Sequence, residues 1–255
     1  MVTELKLRIG LENNKSVVTE SSFTSPLKLG LPNHEDDRLK VVLMMASAGI
    51  LKGDEFEYHI YCASGTKTFL TDQSYTKIFD TGDGMAKKRQ NIQVKGNASL
   101  YYFPCAVIPF RGSSYEGDII IKLDKESEFV YADILSTGRI GMGECLAFHS
   151  YRNRVCVEVE ERPVWLDQCL LLPDSMDLKE LLFFDEYTHQ GTFYFYGKEE
   201  KQKQLLDWNT NWQKENNGKI LVGMTEALQG VCMRVLAHTA QEIEELFAEV
   251  AEVLE

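Results

Sequence analysis

The sequence predicts a mainly β fold, built of stacked antiparallel or mixed β-sheets with two helices near the C-terminus. Polar and apolar residues alternate with period two through Glu55-Phe56-Glu57-Tyr58-His59-Ile60 and through Arg154-Val155-Cys156-Val157-Glu158-Val159-Glu160, the mark of half-buried strands. Turn signals recur between such runs: Ser64-Gly65, Thr81-Gly82-Asp83-Gly84, Gly96-Asn97 and Arg111-Gly112-Ser113. After residue 197 the spacing becomes helical. Strand and helix do not alternate along the chain, which argues against a doubly wound nucleotide-binding fold.

In chain order, the start MVTELKLRIG already alternates. Ile119-Ile120-Ile121 and Thr192-Phe193-Tyr194-Phe195-Tyr196 add β-branched and aromatic runs, so strands are expected to fill most of residues 1–197. Short strands punctuated this often suggest stacked antiparallel sheets. Residues 198–213 read as a polar helix. Thr239-Ala240-Gln241-Glu242 is a capping box, in which the Thr hydroxyl accepts from the third helical amide and the Glu reaches back. Ile243, Leu246, Phe247, Val250 and Leu254 then share one face opposite Glu244, Glu245 and Glu249, predicting a helix over about 240–254. No internal repeat, low-complexity linker or sharp composition shift is visible, so a single domain over 1–255 is expected.

Composition excludes some function classes. Lys+Arg number 27 against 39 Asp+Glu, a net charge of −12, whereas nucleic-acid binding needs a basic face. The densest basic cluster, Lys87-Lys88-Arg89, reads as a solvated turn or strand end. The N-terminus lacks the apolar core of a signal peptide. The longest apolar stretch, Val41 to Leu51, is interrupted by Ala46, Ser47, Ala48 and Gly49 and falls short of the roughly 20 apolar residues that span a bilayer. A cytoplasmic location without membrane contact is expected. The six cysteines, Cys62, Cys105, Cys145, Cys156, Cys169 and Cys232, include no Cys-x-x-Cys pair; in a reducing cytosol they are free thiols, most of them small buried hydrophobes.

Enzyme signatures are mostly absent: there is no Gly-x-Ser-x-Gly elbow, phosphate-binding loop or His-Glu-x-x-His, and spacing alone leaves a Cys–His dyad open. Gly138-Arg139-Ile140-Gly141-Met142-Gly143 has spaced glycines but leads into a strand-like segment, unlike a dinucleotide fingerprint. The five histidines, His34, His59, His149, His189 and His238, include no i, i+4 pair, so no tight metal site is written in the sequence. Glu144, Cys145 and His149 are close enough to share a borderline metal, although strand alternation would aim Glu144 and His149 at opposite faces. The plain alternative is a surface acid, a buried thiol and a structural histidine.

Several segments, in order along nearly the whole chain, resemble the urease accessory protein UreD/UreH family. Ser25-Pro26-Leu27-Lys28 is similar to its early PLK strand. Ser47-Ala48-Gly49-Ile50-Leu51-Lys52-Gly53-Asp54 resembles its S-x-G-hydrophobic-x-x-G-D loop. Thr71-Asp72-Gln73-Ser74-Tyr75-Thr76-Lys77-Ile78 resembles T-x-Q-[AS]-x-T-K. Tyr102-Phe103-Pro104 with Ile108-Pro109-Phe110 resembles L-P-x-x-x-I-P-F/Y. Ser136-Thr137-Gly138-Arg139 with Gly143-Glu144 resembles x-x-G-R-x-x-x-x-E. Glu186-Tyr187-Thr188-His189-Gln190-Gly191-Thr192 carries Y-T-H-x-G, and Met233-Arg234-Val235-Leu236 before a terminal helix resembles the family's ending.

These residues also have direct physical readings. Gly49 and Gly53 allow positive φ or close backbone approach, and Asp54 caps its own loop. The hydroxyl and amide groups of Thr71, Gln73 and Thr76 suit either a water-lined passage or cross-strand hydrogen bonds. Arg139 and Glu144 are candidates for a buried pair. The resemblance implies a non-enzymatic scaffold with no tightly bound cofactor and nickel in transit. It also implies partnership with UreF, coupling through UreF to the GTPase UreG, and docking on the urease apoprotein. Glu144, and more loosely Asp54, are carried over as lining or gating residues for transient nickel. Two departures stand out: Pro104-Cys105-Ala106 has a thiol where the family stretch P-D-P has an acid, and the basic, Pro-containing tail frequent in the family is not seen. The rival readings are a β-rich thiol or metal hydrolase, or an interaction module that no longer delivers nickel.

Overall fold

The computed structural model describes residues 2–35, 37–180, 183–216 and 218–255. The chain opens with an antiparallel hairpin, β1 (Val2–Glu12) and β2 (Lys15–Phe23), followed by short β3 (Leu27–Leu29), β4 (Asn33–Glu35) and the longer β5 (Arg38–Met45). Then a coil begins: β6 (Glu55–Cys62), β7 (Lys67–Asp72) and β8 (Thr76–Ile78); β9 (Ala86–Val94), β10 (Ser99–Phe103) and β11 (Val107–Pro109); β12 (Ser114–Leu123) and β13 (Glu128–Ser136). After a 3-10 turn at Ile140–Met142 come β14 (Ser150–Val159), β15 (Arg162–Leu171) and β16 (His189–Tyr196). Helix α1 (Glu199–Glu215), the hairpin β17 (Leu221–Glu226) and β18 (Val231–Ala237), and helix α2 (Ala240–Glu252) complete the chain.

Two sheets face each other. One has seven strands in the order β15-β14-β12-β9-β6-β1-β2; the other has eleven, on the main path β17-β18-β16-β13-β10-β7-β5-β3. Successive long strands of the coil alternate between the sheets, so each sheet is parallel through its middle: β1–β6–β9–β12–β14 in the first and β5–β7–β10–β13 in the second. Antiparallel pairs lie at the margins. Parallel neighbours need a long crossover, usually a helix. Here the crossover is a strand of the opposite sheet. Both pairing modes share the period-two pattern, which is why alternation in the sequence suggested antiparallel stacking while the centre is parallel. The β17–β18 hairpin also falls beyond the stretch in which strands were expected, and it separates the two helices.

The main core lies between the sheets, where Leu5, Leu7, Ile60, Ile92, Leu100, Phe129 and Val157 are buried. A second core lies under the helices. Val130, Ala132 and Ile134 of β13 and Phe193 and Phe195 of β16 pack there against Ile243, Leu246, Phe247 and Val250 of α2. The Phe193 and Phe247 rings are 5.7 Å apart. Gly191 makes this seat close: a Cβ there would lie 2.6 Å from Ile243 Cγ2. Among the cysteines, all of them free, Cys62 and Cys156 are buried, Cys105, Cys169 and Cys232 are half-buried, and Cys145 is exposed rather than a buried thiol.

The capping box predicted for α2 is present. Thr239 Oγ1 accepts from the Glu242 amide at 3.2 Å, and Glu242 Oε2 accepts from the Thr239 amide at 2.9 Å. Thr239→Ala is expected to lower stability by about 1 kcal/mol, and Thr239→Ser to restore most of it, in urea unfolding followed by circular dichroism.

Candidate functional site

Each turn of the coil returns in register, so inward side chains stack in rows across the strands. In the seven-stranded sheet one row reads Phe56, Lys88, Gly117, Asn153, Cys169. Its neighbour contains Tyr58, Gln90, Ile119, Val155 and Asp167. In the facing sheet Asp133 pairs with Thr192 and Thr192 with Arg234, while Asp72 ends β7 opposite Leu43. The polar members of these rows meet across the sandwich. Asn153 Nδ2 donates to Asp133 Oδ2 at 3.2 Å, and Arg234 donates to Asp167 and Thr192. Gly117 makes room for this contact, since a Cβ there would lie 2.3 Å from Asn153 Oδ1. A polar seam therefore crosses an otherwise apolar core.

The seam holds space. A central cavity of about 30 Å³ is lined by Asp72, Lys88, Gln90, Cys105, Asp133 and Asn153, with tyrosines 102, 115, 131 and 151 around them. That is room for ordered water with several polar partners. A larger cavity of about 160 Å³ shares Asp72, Thr76 and Lys88 with it and reaches the surface beside Ser47, Gly49, Ser74, Tyr75 and Lys77. At the far end the Arg234–Asp167 ion pair bridges β18 and β15 and so clasps the two sheets together.

Burial dominates the electrostatics. Asp72 is half-buried, keeping water contact through the cavity, and the surrounding protein pushes its carboxyl pKa up; Lys88 and the Cys105 amide act against that rise. Burial, then the nearby Asp167, pushes Asp133 up to about 6, opposed by the Tyr131 hydroxyl, Arg234 and Lys88. The Cys105 thiol is pushed up to about 11 by burial and by Asp72 and Glu244, and it donates to the Asp72 carbonyl at 3.2 Å. Tyr102 donates to Gln90 Oε1 at 2.8 Å, and burial holds the phenols of Tyr58, Tyr102, Tyr131 and Tyr151 protonated. The seam thus offers carboxylates, amides and hydroxyls around two adjoining cavities. These are oxygen donors for a cation, with one thiol among them.

The residues singled out in the sequence separate into distinct places. Gly49, Thr76 and Lys77 stand at the surface mouth of the larger cavity. Gly49 is required there, with φ 157° and a hypothetical Cβ 2.5 Å from the Lys77 carbonyl. Gln73 is exposed on the turn before β8. Gly53 has φ 76°, and Asp54 caps its turn, Oδ2 accepting from the Leu51 amide at 2.8 Å. Asp54 lines neither cavity of the seam. Pro109 is buried in β11. Thr188 donates to the His238 carbonyl at 2.7 Å, and His189, whose pKa is lowered by burial, lies 3.1 Å from the same carbonyl; they tie β16 to the start of α2.

Glu144 also lines neither cavity. Its carboxylate accepts from Arg139 Nε at 2.9 Å and from Arg139 Nη2, with Arg111 4.0 Å away. The two guanidinium groups cover it, and the Arg139 bond foremost holds its pKa below the usual carboxylate range. The Arg139–Glu144 pair thus exists, with Glu144 buried at 9% exposure and Arg139 partly open to solvent, outside the two apolar cores. Glu144, Cys145 and His149 lie in the irregular stretch before β14, not on a strand, so alternation does not govern them; Cys145 contacts Thr137 at 3.4 Å and His149 approaches Asp174 at 3.6 Å. Among the described residues no three His, Cys, Asp or Glu gather in a metal-holding group. No helix among them is long and apolar enough to cross a membrane.

Sequence reasoning missed Lys88, Gln90, Asp133, Asn153, Asp167 and Arg234. The signal was present as polar residues at inward positions of alternating strands. Lys87-Lys88-Arg89 is the clearest case: it belongs to β9, and the pleat turns Lys88 into the core while Arg89 faces solvent, so Lys88 is not the solvated residue expected.

Asp133 gives a pH test. Its pKa is about 6 when folded and 3.8 in the reference state, so the folded chain binds more protons between those values and stability falls as pH rises through them. Asp133→Asn is therefore expected to be more stable than wild type at pH 7–8, by roughly 1–3 kcal/mol. The gain should shrink toward pH 4, as read by thermal melts across that range.

Comparison with known proteins gives a consistent family. The family model described as "UreD urease accessory protein" matches residues 2–255. The chain is 31% identical over 242 residues to the urease accessory protein UreH of Helicobacter hepaticus, covering 95% of this chain and 93% of that one. It is 32% identical over 186 residues to UreH of Helicobacter pylori, covering 72% and 70%. It is also 27% identical over 263 residues to the urease accessory protein UreD of Actinobacillus pleuropneumoniae, covering 100% and 97%.

Proposed function

The chain belongs to the UreD urease accessory protein family, and from that premise we propose that it is a non-enzymatic scaffold that delivers nickel to urease through the polar seam between its sheets. In this reading it binds UreF, is coupled through UreF to the GTPase UreG, and docks on the urease apoprotein in the cytoplasm, where its six free thiols stay reduced. One observation carries the nickel route: the cavity open at Gly49 and Tyr75 and the central cavity share Asp72, Thr76 and Lys88, so polar groups continue from the surface to Asp133 and Asn153. Carboxylates and amides hold a borderline divalent ion, and spread singly along a channel they also let it leave. Cys105 in that lining adds a softer donor where the family stretch has an acid.

Asp72→Asn tests the route. Urease co-expressed with this variant is expected to contain at least about tenfold less nickel than with wild type, while the variant still co-purifies with UreF and melts within a few degrees of wild type. Wild-type nickel loading would rule the route out.

Glu144 and Asp54 are proposed as gating residues outside that lining, and Glu144→Ala separates two roles. Loss of urease nickel with unchanged melting and UreF binding supports gating. A lowered melting temperature whose gap from wild type narrows as pH falls through the lowered pKa of Glu144, where wild type also loses the ion pair, marks a fold residue instead.

A further inference from the structure

Lys88 is an anomaly in the seam. Only 9% of the residue is exposed, and charged side chains this buried are ordinarily paired. Among the described residues no hydrogen bond and no ion pair within 4.0 Å engages its ammonium, which lies over the Tyr58 ring, 4.7 Å from Nζ to centroid. It stands on the wall shared by the two cavities, so anything passing from one to the other passes it. Its charge acts on both Asp72 and Asp133. A lysine is a compact charge on a flexible four-carbon stem, able to swing without breaking a fixed hydrogen-bond geometry.

We infer that the Lys88 ammonium is the resident cation of the seam, filling the place between Asp72 and Asp133 until a divalent ion displaces it. This rests on the nickel-route reading above and names the group that controls it. Without an ion, Lys88 sets one positive charge beside Asp72 and Asp133 and acts on both against the rise that burial imposes on them. An entering divalent ion offers each carboxylate twice the charge, so it outcompetes the ammonium where a monovalent ion does not. The ammonium, displaced but still near, repels the ion and prevents it from settling. Lys88 is thereby a selectivity and release device, not a ligand.

The test is calorimetric titration of the purified full-length chain with Ni²⁺, using wild type, Lys88→Met and Lys88→Arg. Lys88→Met is expected to bind one Ni²⁺ at least about tenfold more tightly; Lys88→Arg should stay near wild type, and adding Asp72→Asn to Lys88→Met should abolish the gain. Urease co-expressed with Lys88→Met should load nickel more slowly, because the ion is held. A purely structural lysine would lower stability without tightening binding, so wild-type affinity in Lys88→Met overturns the inference. Should Lys88→Met fail to fold, Lys88→Met/Asp133→Asn removes one charge of each sign and is compared with Asp133→Asn alone; equal Ni²⁺ affinity again overturns it. The two failures are distinct: nickel loading untouched by Asp72→Asn sinks the route, whereas loading lost in Asp72→Asn with unchanged affinity in Lys88→Met sinks only the role of Lys88.

Discussion

The constraint on which the rest depends is the register of the coil. Phe56, Lys88, Gly117 and Asn153 lie on four strands separated by long stretches of chain, yet they form one row because each turn returns to the same height. A shift of one residue in any strand would exchange its inner and outer faces, sending Lys88 to solvent and Arg89 into the core. The apolar rows on either side resist that shift: Phe56, Tyr58, Ile60 and Cys62 on β6, and Ile92 and Val94 on β9, are all buried. The hydrophobic effect thus fixes the position of the polar groups it would otherwise expel. Asn153 and Asp133, joined across the gap, are tolerated because each satisfies the other.

The seam is also where the structure accepts local instability. A carboxyl whose pKa is pushed up to about 6 by burial weakens the folded state at neutral pH. The adjacent clasp of Arg234 on Asp167 ties the sheets at the seam's end, where Asp167 adds to the rise of the Asp133 pKa and Arg234 opposes it. Apolar side chains in the same rows would make a firmer sandwich and fill the cavities. Retaining acids, amides and a lysine in the core is the pattern expected where function, rather than packing, sets residue identity.

Much of the fold was legible in the sequence because it is written in local terms. Period-two alternation located β1, β6 and β14, β-branched and aromatic runs located β12 and β16, and the Thr239–Glu242 box located α2, since all these patterns report on neighbouring residues alone. Parallel pairing was not legible: alternation records that a strand has two faces, not which strand lies beside it. The hairpin β17–β18 escaped because it follows a helix and is short. At the site, the resemblance drew attention to Gly49, Thr76 and Lys77, which stand at the mouth, and to Asp54 and Glu144, which lie outside the cavities. The interior residues Lys88, Asp133 and Asn153 come from separate turns of the coil. Their meeting depends on register, a property no single segment carries.

The coil has a consequence for how the chain is made. Each turn leans mainly on the turn before it, so structure can grow stepwise from the first strands, as in solenoid proteins. The row of polar groups lengthens one strand at a time as β6, β9, β12 and β14 are added. Its far end is closed only when Arg234, on β18, reaches Asp167. The central cavity gains its full lining only once β14 supplies Tyr151 and Asn153, and the last hairpin adds the Arg234–Asp167 clasp later still in the chain. Completion of the fold and completion of the cavity lining therefore go together.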